Sequence, residues 1–168
     1  MILIYAFTNQ WGTNISRRTL LDLQKLLPKS SSIEYQLIYF HPKTFFQKHL
    51  KNSQYDLIIG LGDFYGNISK IRLETIAHNR YGEQSINPYL SINLELSLPL
   101  LDFLDTQNFS VSEHMGKYNC NWIVFQIQSQ INQQKLSTKQ LFLHLPKKSS
   151  SSKLAQDILS LLKNNSLI

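Results

Sequence analysis

Short apolar runs alternate along the chain with segments of helical periodicity. The runs are rich in Ile, Leu, Phe, Tyr and Val, residue types that favour extended backbone, and they contain no internal proline. We predict strands at Ile2–Phe7, Tyr35–Phe40, Leu57–Leu61, Phe109–Glu113 and Gln140–Leu145.

Between these runs, leucine and isoleucine recur at spacings of three and four residues, the period of a helix with one buried face. A first helix is predicted after Ser16, a candidate N-cap, and Pro28 ends its pattern. Further helices are predicted over Thr44–Lys51, from Ser97 through Leu104, over Trp122–Gln133 and after Ser149–Ser152.

This order of elements predicts an α/β fold: a three-layer α/β/α sandwich whose mostly parallel or mixed sheet carries helices on both faces. At 168 residues the chain has the size of one domain, which we expect to span residues 1–168. No apolar run reaches the roughly 18 residues of a membrane span, so we expect no membrane partner. The first strand lacks the basic flank of a signal peptide.

Charge and cysteine content narrow the function classes further. The formal charge is +6, from 17 Lys+Arg against 11 Asp+Glu, but the basic residues are spread along the chain. We therefore do not expect nucleic acid as a primary partner. The single cysteine cannot form an intramolecular disulfide or a structural zinc site, and the five histidines lack metal-ligand spacing. We expect a cytoplasmic protein without metal or cofactor.

That cysteine, Cys120, lies where a predicted strand gives way to a predicted helix. The partial positive charge of a helix N-terminus favours thiolate over thiol. Parallel strands would bring His144, near the end of the last strand, and Glu74 to the same edge of the sheet. If the three meet, Cys120 is a nucleophile, His144 moves its proton, and Glu74 fixes the imidazole tautomer.

Taken singly, each of these residues has a structural interpretation as well. Free cysteine is among the most buried residue types. A histidine in an apolar run is commonly a hydrogen-bonded core residue, and a glutamate such as Glu74 is commonly a solvated helix carboxylate. The catalytic interpretation therefore depends on all three occurring together.

Three motifs, in order along the chain, resemble the pyroglutamyl peptidase I family, the pyrrolidone-carboxylate cysteine peptidases. The run Gly116–Phe125 is similar to the family's cysteine motif, in which a glycine and an aromatic residue precede Cys-Asn. Leu141–Pro146 resembles the segment around the catalytic histidine, at a compatible spacing. Tyr55–Gly62, followed by Glu74–Asn79, resembles the strand, glycine loop and catalytic glutamate segment.

This resemblance implies a thiol protease that hydrolyses the bond after an N-terminal pyroglutamyl residue, or a related small cap, on a peptide with a blocked N-terminus. It implies Cys120 as nucleophile, His144 as general base and acid, and Glu74 as orienting carboxylate. It also implies assembly as a homo-oligomer. For substrate binding it points to Phe7, Trp11, Asn14, Asp63 and Arg80.

The chain departs from the family pattern mainly in its recognition loops. It is shorter than typical members between Glu74 and the segment at Ser97, and at its C-terminus. Trp11 matches the family's second loop aromatic only with a one-residue shift, Asp63 falls where the family has glutamine, and Arg80 is displaced from the family's arginine. An alternative function follows: a catalytically altered or inactive relative that uses the same pocket to bind a ligand or peptide.

Overall fold

Six strands form a central mixed sheet, and helices cover both of its faces. The structure is a computed structural model that describes residues 1–27, 32–39, 41–52 and 54–168. In chain order the strands are β1 (Ile2–Thr8), β2 (Ile33–Tyr39), β3 (Leu57–Phe64), β4 (Ile71–Glu74), β5 (Ile76–His78), β6 (Asn93–Glu95), β7 (Phe109–Ser112) and β8 (Lys139–Pro146). The helices are α1 (Ile15–Leu26), α2 (Lys43–Phe45), which continues into a π-helical turn (Phe46–Leu50), α3 (Asn119–Gln134) and α4 (Ser151–Asn164).

Along the sheet the strands are ordered β2-β1-β3-β8-β4-β7. Neighbouring strands run parallel except β4 and β8, which run antiparallel. The short strands β5 and β6 form a separate antiparallel pair. The α/β sandwich with a mixed sheet, expected from the sequence, is confirmed.

Each face of the sheet has its own hydrophobic core. On one face α1 and α4 contribute buried side chains such as Leu23 and Ile158, which pack in one cluster with Leu143 of β8. On the other face α3 and the π-helical turn pack with Phe142 of the same strand. Successive strand residues point to opposite faces, so β8 serves both cores and directs His144 toward α3.

Most predicted elements occur, with shifted ends. The five predicted strands correspond to β1, β2, β3, β7 and β8. The predicted end of the second strand at Phe40, and the predicted helix stop at Pro28, lie outside the described residues. Helix α1 begins at Ile15 with Asn14 in the N-cap position, so Ser16 is not the cap.

The helix predicted from Ser97 through Leu104 is wrong. This segment is irregular chain, and its partly buried leucines, Leu98, Leu101 and Leu104, pack against the core beneath α1 and α4. The side-chain amide of Asn165 holds Phe103 at both backbone groups: its Oδ1 accepts from the Phe103 amide, and its Nδ2 donates to the Phe103 carbonyl. Leucine spacing alone does not distinguish a helix from an extended, irregular segment that buries the same residues.

Two glycines of β3 let the layers approach closely on the α3 face. A Cβ at Gly60 would lie 2.5 Å from Tyr5 Oη and from Phe142 Cδ2. A Cβ at Gly62 would lie 2.9 Å from Cys120 Sγ. The missing side chains therefore create the space into which two large rings and the start of α3 fit.

In the ranges that the structure describes, no helix is both long enough and apolar enough to cross a bilayer.

We expect Gly60→Ala to lower the free energy of unfolding by about 1–3 kcal/mol, because the added methyl group overpacks the core. The Tyr5 hydroxyl has no hydrogen-bond partner among the described residues, so Tyr5→Phe removes one of the clashing atoms at little cost. Urea unfolding of the wild type, both single variants and the double variant measures the coupling. The double variant should recover part of the loss; strictly additive effects would contradict this contact.

Candidate active site

The sheet topology brings Glu74 beside His144. Strand β4 lies next to β8 and runs antiparallel to it, with Arg72 opposite His144 and Glu74 opposite Phe142. Directly opposed residues of an antiparallel pair point to the same face. Glu74 therefore reaches His144 from a neighbouring antiparallel strand, and not from the edge where parallel strands end, as the sequence-based argument assumed.

A short hydrogen bond joins the two side chains. His144 Nδ1 lies 2.7 Å from Glu74 Oε1, and both residues are buried, Glu74 with no exposed surface. Arg72 Nη2 lies 3.1 Å from the same carboxylate oxygen. A carboxylate oxygen between a guanidinium and an imidazole accepts from both, so we assign the ring proton to Nδ1, which leaves Nε2 with its lone pair.

Cys120 is the second residue of α3. The first backbone bond at this end of the helix runs from the Trp122 amide to the Tyr118 carbonyl, at 2.8 Å. The amides of Asn119, Cys120 and Asn121 precede it and have no acceptor within the helix. Amides at such a helix start are suited to hold a developing oxyanion.

The environment of Cys120 stabilises the neutral thiol. Burial, and after it the carboxylates of Asp63 and Glu74, raise the pKa of the Cys120 thiol to about 12, while the residue's own amide acts in the opposite direction. The sequence-based expectation that the helix start favours the thiolate is therefore wrong here: dense surroundings and two anions outweigh the helix dipole. No side-chain hydrogen bond joins Sγ to His144 in the described part of the chain.

Cys120 and His144 line one open cavity of about 750 Å³. Loops after β1 and β3 and the segment before α3 form its walls. Aromatic rings are prominent in these walls: Phe7, Trp11, Phe64, Tyr65, Tyr81 and Tyr118. Such a cavity suits a small ligand with an apolar or flat group.

The predicted substrate-binding residues divide between two places. Phe7, Trp11, Asn14 and Asp63 line the cavity. Arg80 does not; it lies at a separate depression, where it pairs with Glu83.

The carboxylate of Asp63 accepts hydrogen bonds from the start of α1. Its Oδ1 accepts from the Ser16 amide at 2.9 Å and the Ser16 hydroxyl at 2.6 Å. Its Oδ2 accepts from the Ile15 amide at 3.3 Å and from Asn14 Nδ2 at 3.2 Å. The carboxylate thus caps a helix N-terminus, where a negative charge is favoured, although it borders the cavity.

Asn121, next to the cysteine, is a structural residue that the sequence argument missed. Its fully buried amide accepts from the His78 amide and donates to the carbonyls of His78 and Arg80, each at 2.7 Å. Tyr81 Oη then donates to Asn119 Oδ1 at 3.1 Å. These bonds fix the chain after β5 against the start of α3. A polar residue amid the apolar positions of α3 was the available signal.

Among the described residues, no group of three or more His, Cys, Asp or Glu side chains is arranged to hold a metal ion.

Comparison with protein-family models gives no match, and a search of curated proteins gives none either. Solved structures do match. Pyrrolidone carboxyl peptidase from Thermococcus litoralis has a TM-score of 0.78 at 16% identity, over 98% of this chain and 92% of that one. The enzyme from Fervidobacterium islandicum AW-1 has a TM-score of 0.78 at 19% identity, over 99% and 98%. Pyroglutamyl peptidase I from Bacillus amyloliquefaciens has a TM-score of 0.75 at 16% identity, over 99% and 95%. At these identities the similarity establishes the fold, which is that of the pyrrolidone carboxyl peptidases, as the sequence motifs predicted.

We expect Asp63→Ala to lower the free energy of unfolding by about 1–3 kcal/mol, since four donors at the start of α1 lose their acceptor. Chemical denaturation measures the change. The exposed carboxylate of Asp102 offers a matched control, and Asp102→Ala should change stability by less than about 0.5 kcal/mol. Equal effects of the two substitutions would contradict the capping role.

Proposed function

We propose that this chain is a cysteine peptidase that hydrolyses the bond after an N-terminal pyroglutamyl residue, or a related small cap, of a peptide. The observation that supports it most is the buried hydrogen bond of 2.7 Å between His144 and Glu74, beside a cavity that also exposes Cys120 at the start of α3. The fold shared with pyrrolidone carboxyl peptidases adds to it.

The proposed reaction begins with attack of Cys120 Sγ on the carbonyl carbon of the cap. The thiol proton passes to His144 Nε2 as the sulfur–carbon bond forms, and the carbonyl oxygen becomes an oxyanion held by amides at the start of α3. The carbon–nitrogen bond then breaks, and His144 gives its proton to the leaving amine. Glu74 stabilises the imidazolium and does not itself take the proton.

Water completes the turnover. His144 Nε2 accepts a proton from a water molecule as its oxygen attacks the thioester carbon. The sulfur–carbon bond breaks, the sulfur regains the proton from His144, and the cap leaves as a free acid. Because the pKa of the Cys120 thiol is raised to about 12, proton transfer has to accompany sulfur attack, and a standing thiolate is not required.

The cavity supports selection for a neutral cap. Phe7 and Trp11 offer ring faces, and Asn14 borders the same space. The Asp63 oxygens are already engaged by α1, so the cap does not meet a carboxylate free of donors. We extend the proposal to a cytoplasmic enzyme, because a thiol nucleophile works in a reducing compartment. The homo-oligomer stays a prediction from the sequence motifs.

A binding protein that has lost catalysis is the second candidate. The raised pKa of the Cys120 thiol and the exposed ring of Trp11 favour it, since a neutral thiol and an aromatic wall are sufficient for binding alone. The two candidates differ in turnover, which the following experiment measures.

We expect the wild type to release the fluorophore from a pyroglutamyl amide, and Cys120→Ser to lose at least about 10³-fold in kcat/KM because it lacks the thiol. His144→Gln should lose about 10²–10⁴-fold, since proton transfer is removed. Equal rates for wild type and Cys120→Ser would rule out the mechanism. Folded wild type that binds the amide without turnover would favour the binding protein.

Alkylation of Cys120 should depend steeply on pH. A thiol of pKa about 12 is about one part in ten thousand ionised at pH 8, against roughly one part in ten at its ordinary value of 9.0. Iodoacetamide should therefore modify the folded protein far more slowly than the urea-unfolded protein at pH 8, and about tenfold faster for each added pH unit. Intact-mass spectrometry reads the single cysteine directly. Fast modification of the folded protein at or below pH 7 would overturn this account.

A further inference from the structure

A second strand residue lies against the Glu74 carboxylate. Arg72 pairs directly with His144 across the antiparallel strands β4 and β8 and points to the same face. Its side chain is only 14% exposed, while Glu74 two residues later is not exposed at all. An arginine placed this deep has to be matched by charge and by hydrogen-bond acceptors.

The acceptors come from two strands and a following turn. Arg72 Nη2 lies 3.1 Å from Glu74 Oε1, the oxygen that also bonds His144. The same Nη2 donates to Ser112 Oγ, at the end of β7, and to the His114 carbonyl at 2.7 Å. The guanidinium is therefore held in place independently of Glu74.

An aromatic ring also packs against the Arg72 guanidinium. The guanidinium carbon of Arg72 lies 4.4 Å from the centroid of Phe64, a cation–π distance. The Phe64 ring in turn meets the imidazole of His144 edge-on, with centroids 5.6 Å apart. One aromatic side chain thus contacts both partners of Glu74.

We propose that Arg72 is a positioning residue: it keeps the Glu74 carboxylate ionised and turned toward His144, so that the imidazole is held with its proton on Nδ1. The inference rests on the proposed function for its catalytic consequence, but not for its structural part. A carboxylate buried without a cation is unfavourable and takes up a proton instead. A protonated Glu74 could donate to Nδ1, and the imidazole would then be free to adopt the wrong tautomer.

No other contact of the Glu74 carboxylate among the described residues supplies the positive charge that Arg72 brings. Glu74 Oε2 has no hydrogen-bond partner among the described residues, so Oε1 carries the contacts to both His144 and Arg72. The Cys120 thiol also interacts electrostatically with this carboxylate, but a thiol carries no positive charge that could neutralise it.

The test compares Arg72→Met and Arg72→Gln, which remove the charge, with Arg72→Lys, which keeps it. Arg18→Met, an exposed arginine of α1, serves as the control. The first readout needs no substrate: the Nδ1 proton of ¹⁵N-labelled His144 should give a downfield NMR resonance in wild type, Arg72→Lys and Arg18→Met. It should be lost in Arg72→Met and Arg72→Gln.

The second readout is kinetic. With a pyroglutamyl amide, Arg72→Met should lower kcat about 10- to 100-fold with little change in KM, and lysine should recover most of the loss. Unchanged resonance and kcat within twofold of wild type in both neutral variants would overturn the proposal. A lost resonance in a protein whose wild type shows no turnover would support positioning by Arg72 and count against the proposed peptidase.

If both neutral variants, Arg72→Met and Arg72→Gln, fail to fold, the proposal is tested on the wild type instead. The ¹³C shift of the labelled Glu74 carboxyl at pH 7 should then be that of a carboxylate, and Arg72→Lys should keep it. A neutral carboxyl in the wild type would overturn the proposal.

Discussion

The site depends on a carboxylate that has no access to water. A buried carboxylate has to be matched by a donor and a cation, and His144 and Arg72 both lie within reach of one oxygen atom of Glu74. Both contacts come from the register of β4 against β8, which directs all three side chains to one face. The site is therefore built on the antiparallel pair within an otherwise parallel sheet.

The cysteine reaches this pair from the other layer. Helix α3 packs on the sheet through its apolar side chains, and Gly62 leaves the space that the Cys120 sulfur occupies. Asn121 ties the same helix start to the chain after β5, so this chain segment and the Cys120 end of α3 are fixed to each other. Backbone placement, more than loop conformation, sets the relation between thiol and imidazole.

The periodic parts of the chain were predictable because burial on one or two faces leaves a direct mark on the sequence. That Cys120 and His144 line one cavity was predictable, because a helix start and a strand end meet at one rim of such a sheet. Predicting Arg72 as a partner of Glu74 would have required the register of β4, and this strand is too short to show a pattern. The sequence motifs pointed to Arg80 instead. The predicted helix near Ser97 was wrong because leucines that pack on a core can have similar spacing in a helix and in irregular chain.

The predicted preference of Cys120 for the thiolate was wrong because the start of a helix can be recognised in a sequence, whereas burial and the approach of two carboxylates cannot.

The neutral thiol has a consequence for the lifetime of the protein. Peroxides attack the thiolate and react slowly with the protonated sulfur, and oxidation beyond the sulfenic acid is largely irreversible. With its proton held by burial and by two nearby anions, Cys120 is a poor target for such oxidants even though it faces an open cavity. In the proposed reaction these surroundings postpone ionisation until a substrate carbonyl arrives, and they protect the sulfur until then.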